Sequence, residues 1–227
     1  MEQERNFLRP ADIERESMRI IGGELAQRGI ALPPEHEAVV KRVIHTTADF
    51  DYAGSLRFTD GGAEAAVAAL RGGCSIVTDT NMAKAGISKA ALSKLGGEAV
   101  CFMADPETVR QARERGVTRA AVCMERAAAE HPGGAVAVGN APTALLRLCE
   151  LMEGGLRPAF VVAVPVGFVN VVESKERAFE ACGRYGVPCI AAMGRKGGSN
   201  VAAAICNALL YAALDAADPG QRQEKLT

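Results

Sequence analysis

The sequence has no tryptophan, few aromatic residues and no excess of basic charge, and each shortage excludes a class of function. Aromatic residues make up 4% of the 227 residues, too few for the stacking platforms of a single-strand nucleic-acid binder. Lys and Arg total 26 against 27 Asp and Glu, so the chain lacks the basic surface that nucleic acids and membranes attract. We therefore expect neither a nucleic-acid partner nor a membrane partner.

Long apolar runs, a leader sequence and paired cysteines are also missing. No apolar run approaches the ~18–20 residues of a membrane span, and the charged N-terminus has no apolar core typical of a signal peptide. The seven cysteines include no CxxC pair and have apolar neighbours, which indicates reduced, buried thiols. These features predict a cytoplasmic protein without a metal site.

What the sequence does contain is enough apolar material for one α/β domain. We predict a single domain over residues 1–227, with a core at about 10–212 and a polar tail at 215–227. Two N-terminal helices are expected, from Pro10 to Gln27 and from Pro34 to about Asp49, since apolar residues recur there at helical spacing.

After these helices, short β-rich runs alternate with helical segments. The predicted strands are Ser55–Thr59, Cys74–Thr78, Glu98–Met103, Ala135–Val138, Phe160–Val164 and Pro188–Met193. Apolar strands separated by helices predict a mostly parallel sheet covered on both faces. The expected fold is therefore a three-layer α/β/α, Rossmann-like domain with a sheet of five to six strands and two N-terminal helices.

Glycine-rich and polar segments follow several of these strands, where ligands bind in open α/β sheets. Each segment opens a helix, and free N–H groups at helix N-termini favour anions. We therefore expect an acidic ligand at this edge of the sheet. The segments span residues 77–81, 138–143, 164–168 and 193–199.

Of the three histidines, His45 is the candidate acid–base residue. Helical spacing places it on one face with Arg42 and Asp49, where a carboxylate one turn away would orient the imidazole. The same pattern also fits an exposed helix histidine beside two ordinary charges. His36 and His131 lie among charged residues beside prolines and are expected to be exposed to solvent.

Two further features have competing interpretations, and a third has one. The Gly194-to-Ser199 loop matches no nucleotide-binding fingerprint, and serves either as an anion-binding turn or as a tight turn that requires glycine. Arg119 opens a helix, where it meets either an anionic ligand or a surface carboxylate. The charged run 173–177 is typical of a solvated helix face.

Taken together and in order, these segments resemble the precorrin-8 methylmutase family of the corrin pathway. The resemblance covers about residues 10–212. Its strongest segments are Gly139-Asn140-Ala141-Pro142-Thr143-Ala144-Leu145 and Pro165-Val166-Gly167-Phe168-Val169, the latter continuing to Glu173-Ser174-Lys175. Supporting segments are Ile13-Glu14-Arg15-Glu16-Ser17, Arg42-Val43-Ile44-His45, Thr78-Asp79-Thr80-Asn81-Met82, Thr118-Arg119, Tyr185-Gly186-Val187-Pro188 and Gly194-Arg195-Lys196-Gly197-Gly198-Ser199.

The resemblance implies an isomerase of cobalamin biosynthesis that needs no cofactor and forms a homodimer. A methyl group would move from ring carbon 11 to ring carbon 12 of precorrin-8 or cobalt-precorrin-8, giving hydrogenobyrinate or cobyrinate. His45 would exchange a proton with the macrocycle as general acid/base. The expected binding residues for this corrinoid substrate are Ser17, Arg42, Thr80, Arg119, Asn140, Gly167, Arg195 and Ser199.

The chain departs from the family pattern at Asn81 and in the composition of the loop at 83–94. These departures bear on the fit of the substrate and leave the role implied for His45 unchanged. Two rival functions are also compatible with the sequence: a non-catalytic corrinoid carrier with the same fold, and a nucleotide-dependent oxidoreductase that uses the glycine turns. The sequence does not distinguish a cobalt-loaded from a metal-free substrate.

Overall fold

Eleven helices and six short strands occur in residues 9–219, the part of the chain that the computed structural model describes. The helices are α1 (Pro10–Gln27), α2 (Pro34–Thr47), α3 (Tyr52–Ser55), α4 (Gly62–Arg71), α5 (Asn81–Gly86), α6 (Lys89–Lys94), α7 (Pro106–Arg115), α8 (Arg119–Glu130), α9 (Pro142–Glu153), α10 (Val171–Tyr185) and α11 (Ser199–Ala213). The strands are β1 (Leu56–Phe58), β2 (Ile76–Thr78), β3 (Ala99–Val100), β4 (Ala135–Val138), β5 (Val161–Ala163) and β6 (Cys189–Ala192).

The strands form one sheet in the order β1-β6-β5-β4-β2-β3. Every neighbouring pair is parallel except β1 with β6, which run antiparallel with Leu56 opposite Ala192. The predicted mostly parallel sheet of five to six strands is thus confirmed. Because β1 is reversed, its start lies at the edge where the parallel strands end.

Successive strand residues face two separate apolar cores, as the pleat of a strand requires. On β5, Val162 faces the core formed with α1, α2, α4, α5, α6 and α11, whereas Val161 faces the core formed with α8, α9 and α10. The same alternation occurs on β4 and β6. The predicted three-layer α/β/α arrangement is therefore confirmed.

The N-terminal helices follow the prediction closely, except at the end of α2. Proline lies in the first turn of both α1 and α2, where its missing N–H has no helical partner in any case. However, α2 ends at Thr47 because Ala48 adopts the left-handed conformation, with φ of 53°. Asp49 consequently lies beyond the helix, and the predicted shared face of Arg42, His45 and Asp49 is wrong.

Two histidines are less exposed than the sequence suggested. The ring of His36 stacks on that of Phe58, with centroids 3.8 Å apart and planes 7° from parallel. His131 is half-buried, and its ring lies 6.1 Å from that of Phe102. Both residues are half-buried beside an aromatic ring, so their charged sequence neighbours gave the wrong indication.

The start of the predicted polar tail, residues 215–219, is attached to the N-terminal half of the fold. Asp215 pairs with Arg71 at 2.9 Å and Asp218 with Arg15 at 3.3 Å, which ties the start of the predicted polar tail to the helices. Positions 220–227 of that tail lie outside the described residues. Within residues 9–219, no helix combines the length and the apolar character needed to span a bilayer.

Asp79, the first residue after β2, connects two neighbouring strands at the carboxyl edge of the sheet. Its side chain is fully buried and accepts three backbone hydrogen bonds, from the N–H groups of Gly139 at 2.8 Å, Asn140 at 2.9 Å and Ala141 at 2.7 Å. Burial raises the pKa of the Asp79 carboxyl, and the three N–H donors oppose that shift. The loop after β4 is therefore held by a side chain of the neighbouring strand.

Replacing this carboxylate with an amide should destabilise the fold. In Asp79→Asn one acceptor oxygen becomes an NH₂ group, which would face a backbone N–H and leave it unsatisfied. We expect the free energy of unfolding to fall by about 1–3 kcal/mol, measured by denaturant unfolding. The exposed Asp60→Asn is the matched control, and equal midpoints for the two variants would contradict this role of Asp79.

Candidate active site

The carboxyl ends of β2, β4, β5 and β6 meet at one edge of the sheet, because these strands are parallel. The loops that follow them carry most of the residues predicted to bind substrate. The reversed strand β1 brings the connection after α2 to the same edge, since Leu56 pairs with Ala192. The edge therefore collects residues from five separated segments of the chain, as substrate sites in α/β sheets do.

Two hydroxyl groups lie in direct contact at the centre of this edge. The Oγ1 atom of Thr80 lies 2.7 Å from the Oγ atom of Ser199, the first residue of α11. Thr80 also caps α5 by accepting from the N–H of Ala83 at 3.1 Å. A Cβ atom on Gly139 would lie 2.7 Å from the Cα atom of Ser199, so the loop after β4 can approach α11 only because it has glycine there.

The loop from Gly194 to Gly198 packs tightly against the end of β5. A Cβ atom on Gly197 would lie 2.2 Å from the carbonyl oxygen of Val164, and the N–H of Gly198 donates to that oxygen at 2.9 Å. The N–H of Gly167 donates to the carbonyl of Arg195 at 3.3 Å. Gly197 is thus required for close backbone approach, and the loop also brings Arg195 to the edge.

A buried lysine lies beneath this loop. The Nζ atom of Lys175, on α10, donates to the carbonyl oxygens of Gly194 at 2.8 Å and Lys196 at 2.7 Å. Lys175 and its neighbour Ser174 are fully buried. The expectation that the charged run 173–177 forms a solvated face is therefore wrong at these two positions.

Exposed apolar side chains adjoin the polar ones at the same edge. Phe168 and Val169, in the loop after β5, are 82% and 76% exposed, and Met82, at the start of α5, is 71% exposed. The guanidinium of Arg195 lies 5.5 Å from the centroid of the Phe168 ring. This surface therefore offers apolar contact and positive charge together, which suits a flat ligand with acidic substituents.

His45 lies in the last turn of α2 and is exposed. The carboxylate expected to orient it, that of Asp49, instead pairs with Lys196 at 2.6 Å, and Asp51 pairs with the same Nζ atom at 2.6 Å. Lys196 lowers the pKa of the Asp49 carboxyl. The end of α2 is thereby connected to the loop after β6.

Ser17 lies on α1 and Arg42 on α2, the two N-terminal helices. The Arg42 guanidinium is ion-paired with Glu14 of α1 and lies 5.5 Å from the Tyr211 ring. The Ser17 hydroxyl donates to the carbonyl of Ile13 at 2.9 Å. Both side chains therefore already have partners within the protein, and neither contacts Thr80 or Ser199 in these hydrogen bonds.

Arg119 lies at the first position of α8 and is exposed. The preceding residue, Thr118, donates from its hydroxyl to that of Thr143 on α9 at 3.0 Å. This contact places Arg119 beside the start of α9, which follows the carboxyl end of β4.

The structure thus brings five predicted residues together and connects the others less directly. The clustered residues are Thr80, Asn140, Gly167, Arg195 and Ser199. His45 is connected to them along the chain, since Asp49, four residues after it, contacts Lys196. Sequence reasoning missed Asp79 and Lys175 as supports of the site, although Lys175 lies three residues before Ala178 and seven before Cys182 on one buried helix face.

The buried ammonium of Lys175 should make stability depend on pH. Burial lowers the pKa of Lys175 to about 8, whereas an unfolded lysine titrates near 10.4. Between these values the unfolded chain binds a proton that the folded chain has released, so the contribution of Lys175 to the free energy of unfolding rises with pH.

Comparison with Lys175→Met isolates this effect, because all other groups cancel in the difference. We expect the unfolding free energy of the native chain minus that of Lys175→Met to increase from below about pH 8 to about pH 10, measured by denaturant unfolding at each pH. A difference that stays constant or falls over this range would show that the ammonium is not held at a lowered pKa.

Comparison with known proteins shows which family this chain matches. A family model described as precorrin-8X methylmutase matches residues 12–212. The cobalt-precorrin-8 methylmutase of Salmonella typhimurium is 51% identical over 78% of this chain and 82% of its own length. The cobalt-precorrin-8 methylmutase of Priestia megaterium is 39% identical over 89% of this chain and 88% of its own length.

A solved structure shares the fold. The crystal structure of precorrin-8x methyl mutase from Thermus thermophilus superposes with a TM-score of 0.80 at 40% identity, covering 89% of this chain and 98% of that chain. The family model covers the whole sheet, all of α2 and all but the first two residues of α1. The matches favour neither a carrier nor an oxidoreductase. The chain belongs to the precorrin-8X methylmutase family and is an intramolecular, methyl-shifting isomerase of cobalamin biosynthesis.

Proposed function

We propose that this enzyme moves a methyl group from ring carbon 11 to ring carbon 12 of precorrin-8 or cobalt-precorrin-8, with His45 as general acid/base. The observation that carries the proposal is the carboxyl edge itself, where Thr80, Ser199 and Arg195 meet exposed apolar side chains. This edge belongs to a chain whose family performs that class of reaction.

The edge suits the chemistry of a corrinoid ligand. The acetate and propionate groups of the macrocycle need donors, which the hydroxyls of Thr80 and Ser199, the side chain of Asn140 and the guanidinium groups of Arg119 and Arg195 supply. The N-termini of α9 and α11 add backbone dipoles that favour anions. Exposed Phe168, Val169 and Met82 offer apolar contact to the flat ring.

In this proposal His45 donates a proton to the macrocycle and later accepts it back. Protonation of a ring nitrogen near carbon 11 draws electron density through the conjugated system, the bond from the methyl group to carbon 11 breaks, and its bond to carbon 12 forms. The proton then returns to the imidazole, so substrate and product are isomers and no donor or oxidant is consumed. Imidazole suits this exchange because it titrates near neutral pH.

In this proposal Arg42 and Ser17 bind the substrate by exchanging contacts that these side chains already make. A carboxylate of the ligand would replace Glu14 as the partner of Arg42, which exchanges one charge-assisted hydrogen bond for another. The Ser17 hydroxyl would rotate away from the Ile13 carbonyl. Both residues act as binding groups in this proposal.

We infer that the enzyme is a cytoplasmic homodimer and that the cobalt form is its preferred substrate. Ile13 and Ile20 on α1 are 50% and 47% exposed, which is consistent with a helix that packs on a second copy.

The two relatives described above carry the name cobalt-precorrin-8 methylmutase, the nearer at 51% identity. Light scattering tests the dimer, and rates with both substrate forms test the preference.

The central prediction concerns His45→Ala. We expect kcat to fall about 10²–10⁴-fold, the usual contribution of a general acid/base, while the affinity for product is retained because the binding groups remain. Anaerobic incubation of the purified protein with precorrin-8 and with its cobalt form, followed by absorbance, measures the conversion.

His131→Ala is the matched control, since His131 ends α8 just before the start of β4, at the opposite edge of the sheet. It should convert substrate at the native rate. Binding without conversion by the native chain would leave a corrinoid carrier as the better account, and full activity of His45→Ala would remove this residue from the mechanism.

A further inference from the structure

Two lysines form a continuous connection from the buried layer of the fold to the end of α2. The first, Lys175, is fully buried and donates to the carbonyl oxygens of Gly194 and Lys196. Because both carbonyls turn inward to one ammonium group, the loop between them has a defined orientation. Its exposed residues, Arg195 and Lys196, are presented at the surface of the site.

The second lysine, Lys196, contacts two carboxylates of the segment that follows α2. Its Nζ atom lies 2.6 Å from Oδ2 of Asp49 and 2.6 Å from Oδ2 of Asp51. The other carboxylate oxygen of Asp49 accepts the N–H of Asp51 at 3.0 Å, and the N–H of Asp49 donates to the hydroxyl of Thr47 at 3.3 Å. One ammonium group therefore connects two carboxylates of the segment after α2 to the loop after β6.

His45 lies only three residues before Ala48, where the chain leaves the helix. Along a helix axis that separation is about 4.5 Å, so His45 lies within one turn of the segment that Lys196 contacts. Ion pairs as exposed as those of Lys196, whose side chain is 48% exposed, contribute little to stability. The main effect of this contact is therefore to fix the position of the segment after α2 relative to the loop after β6.

We propose that Lys196, oriented from below by Lys175, is a positioning residue that holds the end of α2, and with it His45, against the loop after β6. The proposal rests on the acid–base role of His45 in the proposed function. It assigns to Lys196 a contact with the protein itself and no contact with substrate. The alternative, in which Lys196 binds a carboxylate of the substrate, makes a different kinetic prediction.

Steady-state kinetics separate the two roles. If Lys196 positions His45, Lys196→Met lowers kcat about ten- to a hundredfold, as small displacements of catalytic groups do, and KM stays unchanged. Lys196→Arg, which keeps the charge and the hydrogen bonds, recovers most of the lost rate. A raised KM with native kcat would instead show that Lys196 binds substrate, and would overturn the proposal.

The two aspartates provide a second test through non-additivity. Asp49→Asn/Asp51→Asn should lower kcat as much as Lys196→Met does, and adding Lys196→Met to it should cause no further loss, because all three residues act through one contact. Losses that multiply in the triple variant would contradict this. Arg113→Met, which removes an exposed cation on α7, should retain the native kcat.

A measurement without substrate keeps this test separate from the proposed function. In proton–carbon NMR spectra, assigned with His45→Gln, the imidazole signal of His45 should move in Lys196→Met and return in Lys196→Arg. The signals of His36 and His131 should stay in place. An unmoved His45 signal overturns the positioning role even if the enzyme is active, whereas a moved signal in a chain that converts no substrate overturns only the proposed function.

Discussion

The contact between the Asp79 carboxylate and the three N–H groups that begin the loop after β4 determines the shape of the carboxyl edge. It joins two adjacent strands at the point where both end, and it holds the loop close enough to α11 that only glycine fits at position 139. The hydroxyl of Thr80, the residue after Asp79, forms a hydrogen bond with the hydroxyl of Ser199. A buried carboxylate satisfied by several donors is costly to disturb, so this edge has one arrangement.

Lys175 has the corresponding role on the other side of the edge. It satisfies two loop carbonyls from within the helical layer, as Asp79 satisfies three N–H groups from within the sheet. Buried groups of opposite charge thus orient the two glycine loops, and the exposed residues of those loops form the surface available to a ligand. That division suits an intramolecular isomerase, because such an enzyme must chiefly hold a large substrate in one orientation.

Much of this architecture could be predicted from the sequence because its signals are local. Proline at the start of α1 and the spacing of its apolar residues gave its bounds correctly, and alternating apolar runs predicted the parallel sheet. The reversed direction of β1 could not be predicted, since a three-residue strand carries no directional pattern. The early end of α2 depends on a left-handed alanine, for which the residue type gives no signal.

The residues of the site divide in the same way. Glycine and hydroxyl residues after strands were recognisable, because ligand sites in this fold class lie there. The partners of charged residues were not, since the contact of Lys196 with Asp49 joins positions 147 residues apart. Resemblance to a family named the reaction and His45, whereas periodicity alone reached only an α/β domain with an anion-binding edge.

The central proposal is that the macrocycle binds at the carboxyl edge of the sheet, between the two glycine loops and the end of α2. Amide hydrogen exchange of the enzyme, free and saturated with its corrinoid product, tests this most directly. We predict slower exchange in segments 45–51, 79–83, 139–143, 165–169 and 194–200. Protection confined to the opposite edge, at 131–135 and 156–160, would contradict the account.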